Sequence, residues 1–168
     1  MDNAIPALVI GAILLVASSL MARGTLHSYE QLGGSIKEME TRLGEQARTR
    51  LSVTSASLDG EGDTLMLAVR NDGQTRLANF SRVDVIVTYF NGPATTQNAW
   101  LPYEAGAPVP GSWTIVSITD DVHEPGILNP GETAQIQVEL GTTVEPGKTN
   151  LIVIATESGT SLSYPFAS

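Results

Sequence analysis

The sequence predicts an α+β chain, a long N-terminal hydrophobic α-helix followed by an antiparallel, immunoglobulin-like β-sandwich. Three observations carry this. Ala4 to Ala22 is nineteen residues without one charged side chain. From Tyr29 to Gln46 the apolar residues recur every three or four positions, with charges between them. After Arg50 the period drops to two, and turn signals appear about every ten residues, as in a sandwich of short strands. Two parts follow, residues 1–50 and 51–168.

The apolar run comes first. At about 1.5 Å per residue it spans roughly 29 Å, the thickness of a bilayer's hydrocarbon core. A cleaved secretory signal fits poorly: the start carries Asp2 and no Lys or Arg, and no A-x-A site closes the run. Asp2 and Asn3 can cap the helix, and Pro6 falls in its first turn. The pattern then passes Arg23 without a break. Leu8, Gly11, Leu15, Ser18 and Ala22 continue into Tyr29, Leu32, Ile36, Met39, Leu43 and Gln46. One helix of about 45 residues, roughly 70 Å long, is expected. Gly24 and Gly33–Gly34 are its weak points.

Such a helix needs a cover. It can be a membrane anchor with a polar stalk, or a bundle of identical helices in which the apolar run is first stored in membrane. Small residues (Ala7, Gly11, Ala12, Ala17, Ser18, Ser19, Ala22) favour close helix–helix approach. The expected helix–helix assembly positions are Leu8, Gly11, Ile13, Leu15, Val16, Leu20, Leu26, Tyr29, Leu32, Ile36, Met39 and Leu43. By the positive-inside rule, Arg23 alone would leave the rest of the chain in the cytoplasm, and a basic leader ahead of the run would reverse that.

The strands follow in order. Leu51–Leu58 alternates, Asp59–Asp63 turns, and Thr64–Val69 answers as a hairpin partner. Asn71-Asp72-Gly73 reads as a turn of positive-φ residues. Phe80–Phe90 gives the strongest strand, with Val83, Val85, Val87 and Tyr89 on one face. Asn91 to about Gly111, with four prolines, reads as a long loop, and Ile115, Val116 and Ile118 as a strand. Thr133–Leu140 places Ala134, Ile136, Val138 and Leu140 inward. Leu151–Ala155 is nearly all apolar, the mark of a central strand. Leu162, Tyr164 and Phe166 close the chain's last strand.

Charge narrows the function. Residues 1–50 hold five acids and five bases, while the rest holds thirteen acids against four bases and so carries the whole net charge of −9. Such a surface excludes nucleic acid, whose phosphates need Lys and Arg. It suits an exposed head that stays soluble at high local density. The chain has no cysteine, so no disulfide and no thiolate site. No nucleophile, cofactor loop or metal site is expected. Asp59, Glu61 and Asp63 open like a calcium loop, but Arg70 occupies the position where that loop needs an acid. Asp120-Asp121-Val122-His123-Glu124, the densest group of hard ligands, reads as a solvated acidic loop. Asn79-Phe80-Ser81 is a glycosylation sequon, which makes Asn79 a candidate modification site.

The layout of an unbroken apolar helix, a heptad segment and a sandwich, with PALVIGAILLVASSLMARGTL at 6–26 and the stretches LAVRNDGQT and ILNPGETAQIQVEL, resembles archaellins. These are the type IV pilin-like filament subunits of the archaeal flagellum. The same head stretches resemble archaellum accessory proteins with sandwich domains. Ile5 stands where bacterial pilins carry glutamate, closer to archaellin usage. The resemblance implies a structural, non-enzymatic subunit of an extracellular filament for motility or adhesion, with helices in the core and sandwiches in the sheath. It implies many copies of the same chain as partners, a cytoplasmic-membrane stage before assembly, and a membrane-bound assembly platform with its ATPase. The alternative it leaves is a membrane-anchored accessory or binding protein of such a machine.

Overall fold

The computed structural model describes residues 4–168, without the side chains of residues 4–7 and Leu26. The expected Asp2–Asn3 cap therefore lies outside the described residues. Helix α1 spans Ala4–Arg48, 45 residues. It runs through Gly24, Gly33 and Gly34 without interruption, because each has four turns or more of good helix formers around it and open space beside it. Hydroxyls along the helix bond its own carbonyls: Ser18 Oγ donates to Leu14 O at 2.7 Å and Ser28 Oγ to Gly24 O at 3.0 Å. Those groups need no outside partner in apolar surroundings.

Eight strands follow: β1 (Leu51–Leu58), β2 (Thr64–Asn71), β3 (Asp84–Phe90), β4 (Thr96–Leu101), β5 (Ser112–Thr119), β6 (Thr133–Glu139), β7 (Thr149–Ala155) and β8 (Ser161–Ala167). They form two antiparallel sheets, ordered β1-β2-β6-β5 and β4-β3-β7-β8. That order is the ABED and C′CFG arrangement of an immunoglobulin-like sandwich. The core lies between the sheets. Leu65, Leu67 and Val69 of β2 and Ala134, Ile136 and Val138 of β6 meet Val85, Val87 and Tyr89 of β3 and Ile152 and Ile154 of β7. Trp113 of β5, almost fully buried, packs edge-on against Tyr103, with ring centroids 4.9 Å apart. Both edge strands of the first sheet carry irregular register, between Val53 and Ser55 and between Ile115 and Ser117. Edge strand β8 holds Pro165. Bulges and a proline discourage unwanted edge pairing.

Four sequence expectations are corrected. The strand read as Phe80–Phe90 begins at Asp84; Phe80–Arg82 is a 3-10 turn, closed by Val83 N–H donating to Phe80 O at 3.0 Å. The long loop from Asn91 contains β4, which pairs with β3 along its length. All four prolines fall outside Thr96–Leu101, so the ladder is intact. The Asn71–Gly73 turn has no positive φ; what Gly73 supplies is room, since a Cβ there would sit 2.5 Å from Arg48 O and 2.6 Å from Arg50 N. Strand β7 is central as expected, but it buries only alternate residues, leaving Leu151 38 % exposed.

The chain divides into two compact units, Met1–Leu43 and Gly44–Ser168. The last helical turn therefore belongs with the sandwich. Asp72 N–H donates to Arg50 O and Gln74 N–H to Arg48 O, at 2.9 and 2.8 Å, prolonging the β1–β2 pairing back into the helix end. Buried Thr49 hydrogen-bonds Thr75, hydroxyl to hydroxyl at 2.6 Å, and Gln46 Nε2 donates to Gly159 O at 3.2 Å. Fully buried Asn71 holds the loop beneath: its Nδ2 donates to Thr75 O and Leu128 O, and its Oδ1 accepts from Gly73 N–H.

Candidate assembly surface on the helix

The candidate assembly positions all lie on α1. Its side chains are laid out at about 100° per residue. Leu8, Gly11 and Leu15 fall in one sector with Tyr29, Leu32, Ile36, Met39 and Leu43, and together they make a single stripe along the helix. Ile13, Val16 and Leu20 project from the opposite side, so between Leu8 and Ala22 the helix is apolar all round. Beyond Arg23 only the stripe is apolar. The other faces carry Glu30, Lys37, Glu38 and Arg42, with Arg42 paired to Glu38 at 2.7 Å. An all-round apolar helix requires burial on every side, and a striped one requires burial on one side.

Among the described residues of its own unit, the helix finds no such burial. Leu15 is 74 % exposed, Ile13 62 %, and Leu8, Val16, Leu20, Tyr29, Leu32, Ile36, Met39 and Leu43 are all exposed. Gly11 has open space beyond its Cα. The side chain of Leu26 lies outside the described residues. The segment Leu8–Arg48 includes a stretch long and apolar enough to cross a membrane. Covering such side chains is worth roughly 1.5–3 kcal/mol each. Every described position that the sequence proposed for assembly is therefore exposed or, at Gly11, open on its Cα side.

The sandwich offers little for catalysis. No cluster of three metal-ligating side chains exists among the described residues. In the acidic loop Glu124 takes both oxygens to Arg76 Nη1, at 2.8 and 2.9 Å, and Asp121 Oδ2 accepts from Gly126 N–H, while Asp121 Oδ1 is buried without a partner among the described residues. Asp59 accepts from the backbone N–H groups of Gly62, Asp63 and Thr64 at 2.7–3.3 Å. Desolvation pushes its carboxyl up, but these amides and that of Glu61 outweigh it and hold the pKa below the ordinary 3.8. That is a turn-fixing arrangement.

A polar cleft of about 470 Å³ escaped sequence reasoning. Glu45, Arg48 and Thr49 of the helix end, Gln74–Asn79 and Thr156–Ser158 line it. Asn79 stands exposed on its rim, its Oδ1 accepting from Ser81 Oγ at 2.7 Å. Nothing in the local sequence marks the cleft, because it forms where three distant segments meet.

The archaeal-type flagellin family model matches residues 6–166. Among solved structures, the archaeal flagellum of Methanospirillum hungatei strain JF1 is similar at 17 % identity and a TM-score of 0.60, over 99 % of this chain and 93 % of that one. The archaellum periplasmic stator protein FlaG from Sulfolobus acidocaldarius is similar at 24 % identity and a TM-score of 0.52, over 70 % of this chain and 99 % of that one. Flagellin FlaB1 from Methanocaldococcus jannaschii is similar at 12 % identity and a TM-score of 0.54, over 71 % of this chain and 90 % of that one.

Proposed function

The chain belongs to the archaeal-type flagellin family, and from that premise we propose that it is a filament subunit, polymerising through residues 1–50 into an extracellular archaellum-like fibre. Membership itself carries a filament or archaellum-associated structural role at the cell surface. The finer reading rests on one observation: a helix apolar all round from Leu8 to Ala22, then striped, and exposed along both parts. In a helical, non-closing assembly each subunit meets several neighbours through different faces. That arrangement covers Leu8, Leu15, Ile13, Val16 and Leu20 at once, then needs only the stripe from Tyr29 to Leu43. The acidic sandwiches form the outer sheath, where like charge keeps the fibre soluble.

Before assembly the same run is stored in the cytoplasmic membrane. A membrane-bound platform with an ATPase then drives extrusion and movement, and this chain contributes no catalysis. Asn79, exposed on the rim of the head's cleft, is the proposed glycan acceptor; an intact-mass increment localised to its peptide tests that.

A second reading has support from the likeness to the stator protein FlaG, in which the sandwich is the shared fold. There the helix is a permanent anchor and the head binds another surface component. The decisive experiment is to shear cells, pellet the filaments and identify their bulk component by mass spectrometry. A filament subunit dominates the pellet. Recovery only from detergent-extracted membranes sinks the polymer reading and leaves the accessory one.

A further inference from the structure

The two sheets present unlike faces to solvent. Sheet β1-β2-β6-β5 turns out mainly polar residues, Ser52, Ser57, Arg70, Gln135, Gln137 and Glu139, around a half-buried Met66, with Val116 exposed only at the bulge of edge strand β5. On sheet β4-β3-β7-β8 the outward positions include Trp100, Ile86, Val153, Leu151 and Pro165. The registers Trp100↔Ile86, Ile86↔Val153 and Leu151↔Pro165 make these side chains adjacent, so they form one patch across four strands. Trp100 is 60 % exposed and Ile86 40 %. Contiguous exposed apolar groups on a soluble domain mark a contact surface.

We propose that this face is a second self-association surface, which docks against the head of a neighbouring copy of the chain in the polymer. The proposal rests on the polymer reading above. Charge selects a copy as the occupant. The head carries thirteen acids and four bases, so two heads repel over most of their surfaces. Among the outward positions of these four strands only Asp84 is acidic, and Trp100 Nε1–H donates to its Oδ1 at 2.9 Å. At the far end of β3, Lys148 Nζ lies 5.5 Å from the centre of the Phe90 ring. This is the face on which another equally acidic head is tolerated.

Size points the same way. Five apolar side chains fall well short of the roughly 20–30 residues per side of a free-standing interface. A patch that small does not hold two free molecules together. It does act between heads already tethered side by side, where the effective concentration reaches the millimolar range. The polymerised helices supply that tether.

Trp100 and Trp113 are the chain's two tryptophans, and Trp113 is only 1 % exposed, so acrylamide quenching reports on Trp100. The full-length chain is compared as polymer and as dispersed molecules, using both detergent-dispersed wild type and the non-assembling Leu15→Asp variant. Quenching is expected to fall several-fold on assembly. Trp100→Lys is expected to lower the temperature at which the polymer dissociates, while Ser57→Lys on the opposite sheet leaves it unchanged. A polymer that forms with Trp100 still fully quenchable overturns this proposal and leaves the polymer reading standing. Protection that appears only after a different surface protein is added also overturns it. A pure chain that never polymerises overturns both.

Discussion

The helix and the sandwich are both rich in aliphatic side chains, and they dispose of them in opposite ways. In the sandwich Leu65, Val85, Val87 and Val138 are wholly removed from water. In the helix about three quarters of the surface of Leu8, Leu15 and Met21 is exposed. One region therefore completes its hydrophobic core within a single chain, and the other leaves its apolar side chains exposed. The contrast explains the charge distribution as well. The self-sufficient part carries the entire net charge of −9, while residues 1–50, which hold the exposed apolar helix, are neutral overall.

The largest expected effect breaks the helix side of this comparison. Leu15→Asp and Ile13→Asp should each abolish sedimentable polymer and leave the thermal unfolding of the sandwich unchanged. Burying an unpaired carboxylate costs several kcal/mol, repeated at every subunit. The two residues project from opposite sides of α1. If Leu15→Asp blocked assembly and Ile13→Asp did not, the apolar half would be buried on one side only, and the all-round packing would be wrong.

The mirror experiment acts on the sandwich. Leu67→Ala removes a buried side chain between the two sheets and should destabilise the head by about 2–5 kcal/mol, read as a lowered unfolding midpoint in urea. Polymer should still form at low temperature, since no described helix position changes. Loss of polymer with a folded head would mean that the two regions are not separable in this way.

A third, smaller effect sharpens where the division falls. Gly73→Ala pushes a Cβ against Arg48 O and Arg50 N, and should cost about 1–3 kcal/mol of head stability. A fragment starting at Gly44 should also be more stable than one starting at Leu51, by about 1–2 kcal/mol, because the shorter one loses Thr49 and its bond to Thr75. Equal midpoints for the two fragments would return the boundary to Arg50.

Legibility in the sequence followed the same contrast. The extent of α1 could be read directly, because an uncharged run and a heptad stripe are periodic signals that no distant contact can reverse. The inward face of β6 was equally plain, since Ala134, Ile136 and Val138 alternate with polar residues, and β3 showed as a run of β-branched residues from Val85 to Thr88. Strand β4 was hidden by Trp100, which faces outward between the inward Ala99 and Leu101 and so masks their alternation. Gly73 was recognised as a turn residue for the wrong reason, because a close approach between backbones 23 or more residues apart leaves no local mark. The proposed assembly positions could be listed from the helix alone, but what would cover them could not, because one chain's sequence encodes only half of such a contact.

The smallest effect concerns acid, and it separates the two regions by a different criterion. The first turn of the sandwich is fixed by the Asp59 carboxylate, which accepts three backbone N–H bonds and has its pKa held below 3.8 in the folded head. A depressed folded pKa means that this contribution is complete above the unfolded value near 3.8 and is lost as pH falls through the lower folded value. The urea midpoint of the wild-type head should therefore fall between pH 5 and about pH 2, in the usual range for carboxylates with native partners. In Asp59→Asn the midpoint should be lower at pH 7 and decline less over the same interval, because the amide retains an acceptor but has no proton to gain. The described part of the apolar run, Leu8–Ala22, holds no titratable side chain, so helix packing there should not respond directly to this range. An Asp59→Asn head with the wild-type acid slope would remove this turn from the account and assign the acid response to the remaining surface carboxylates.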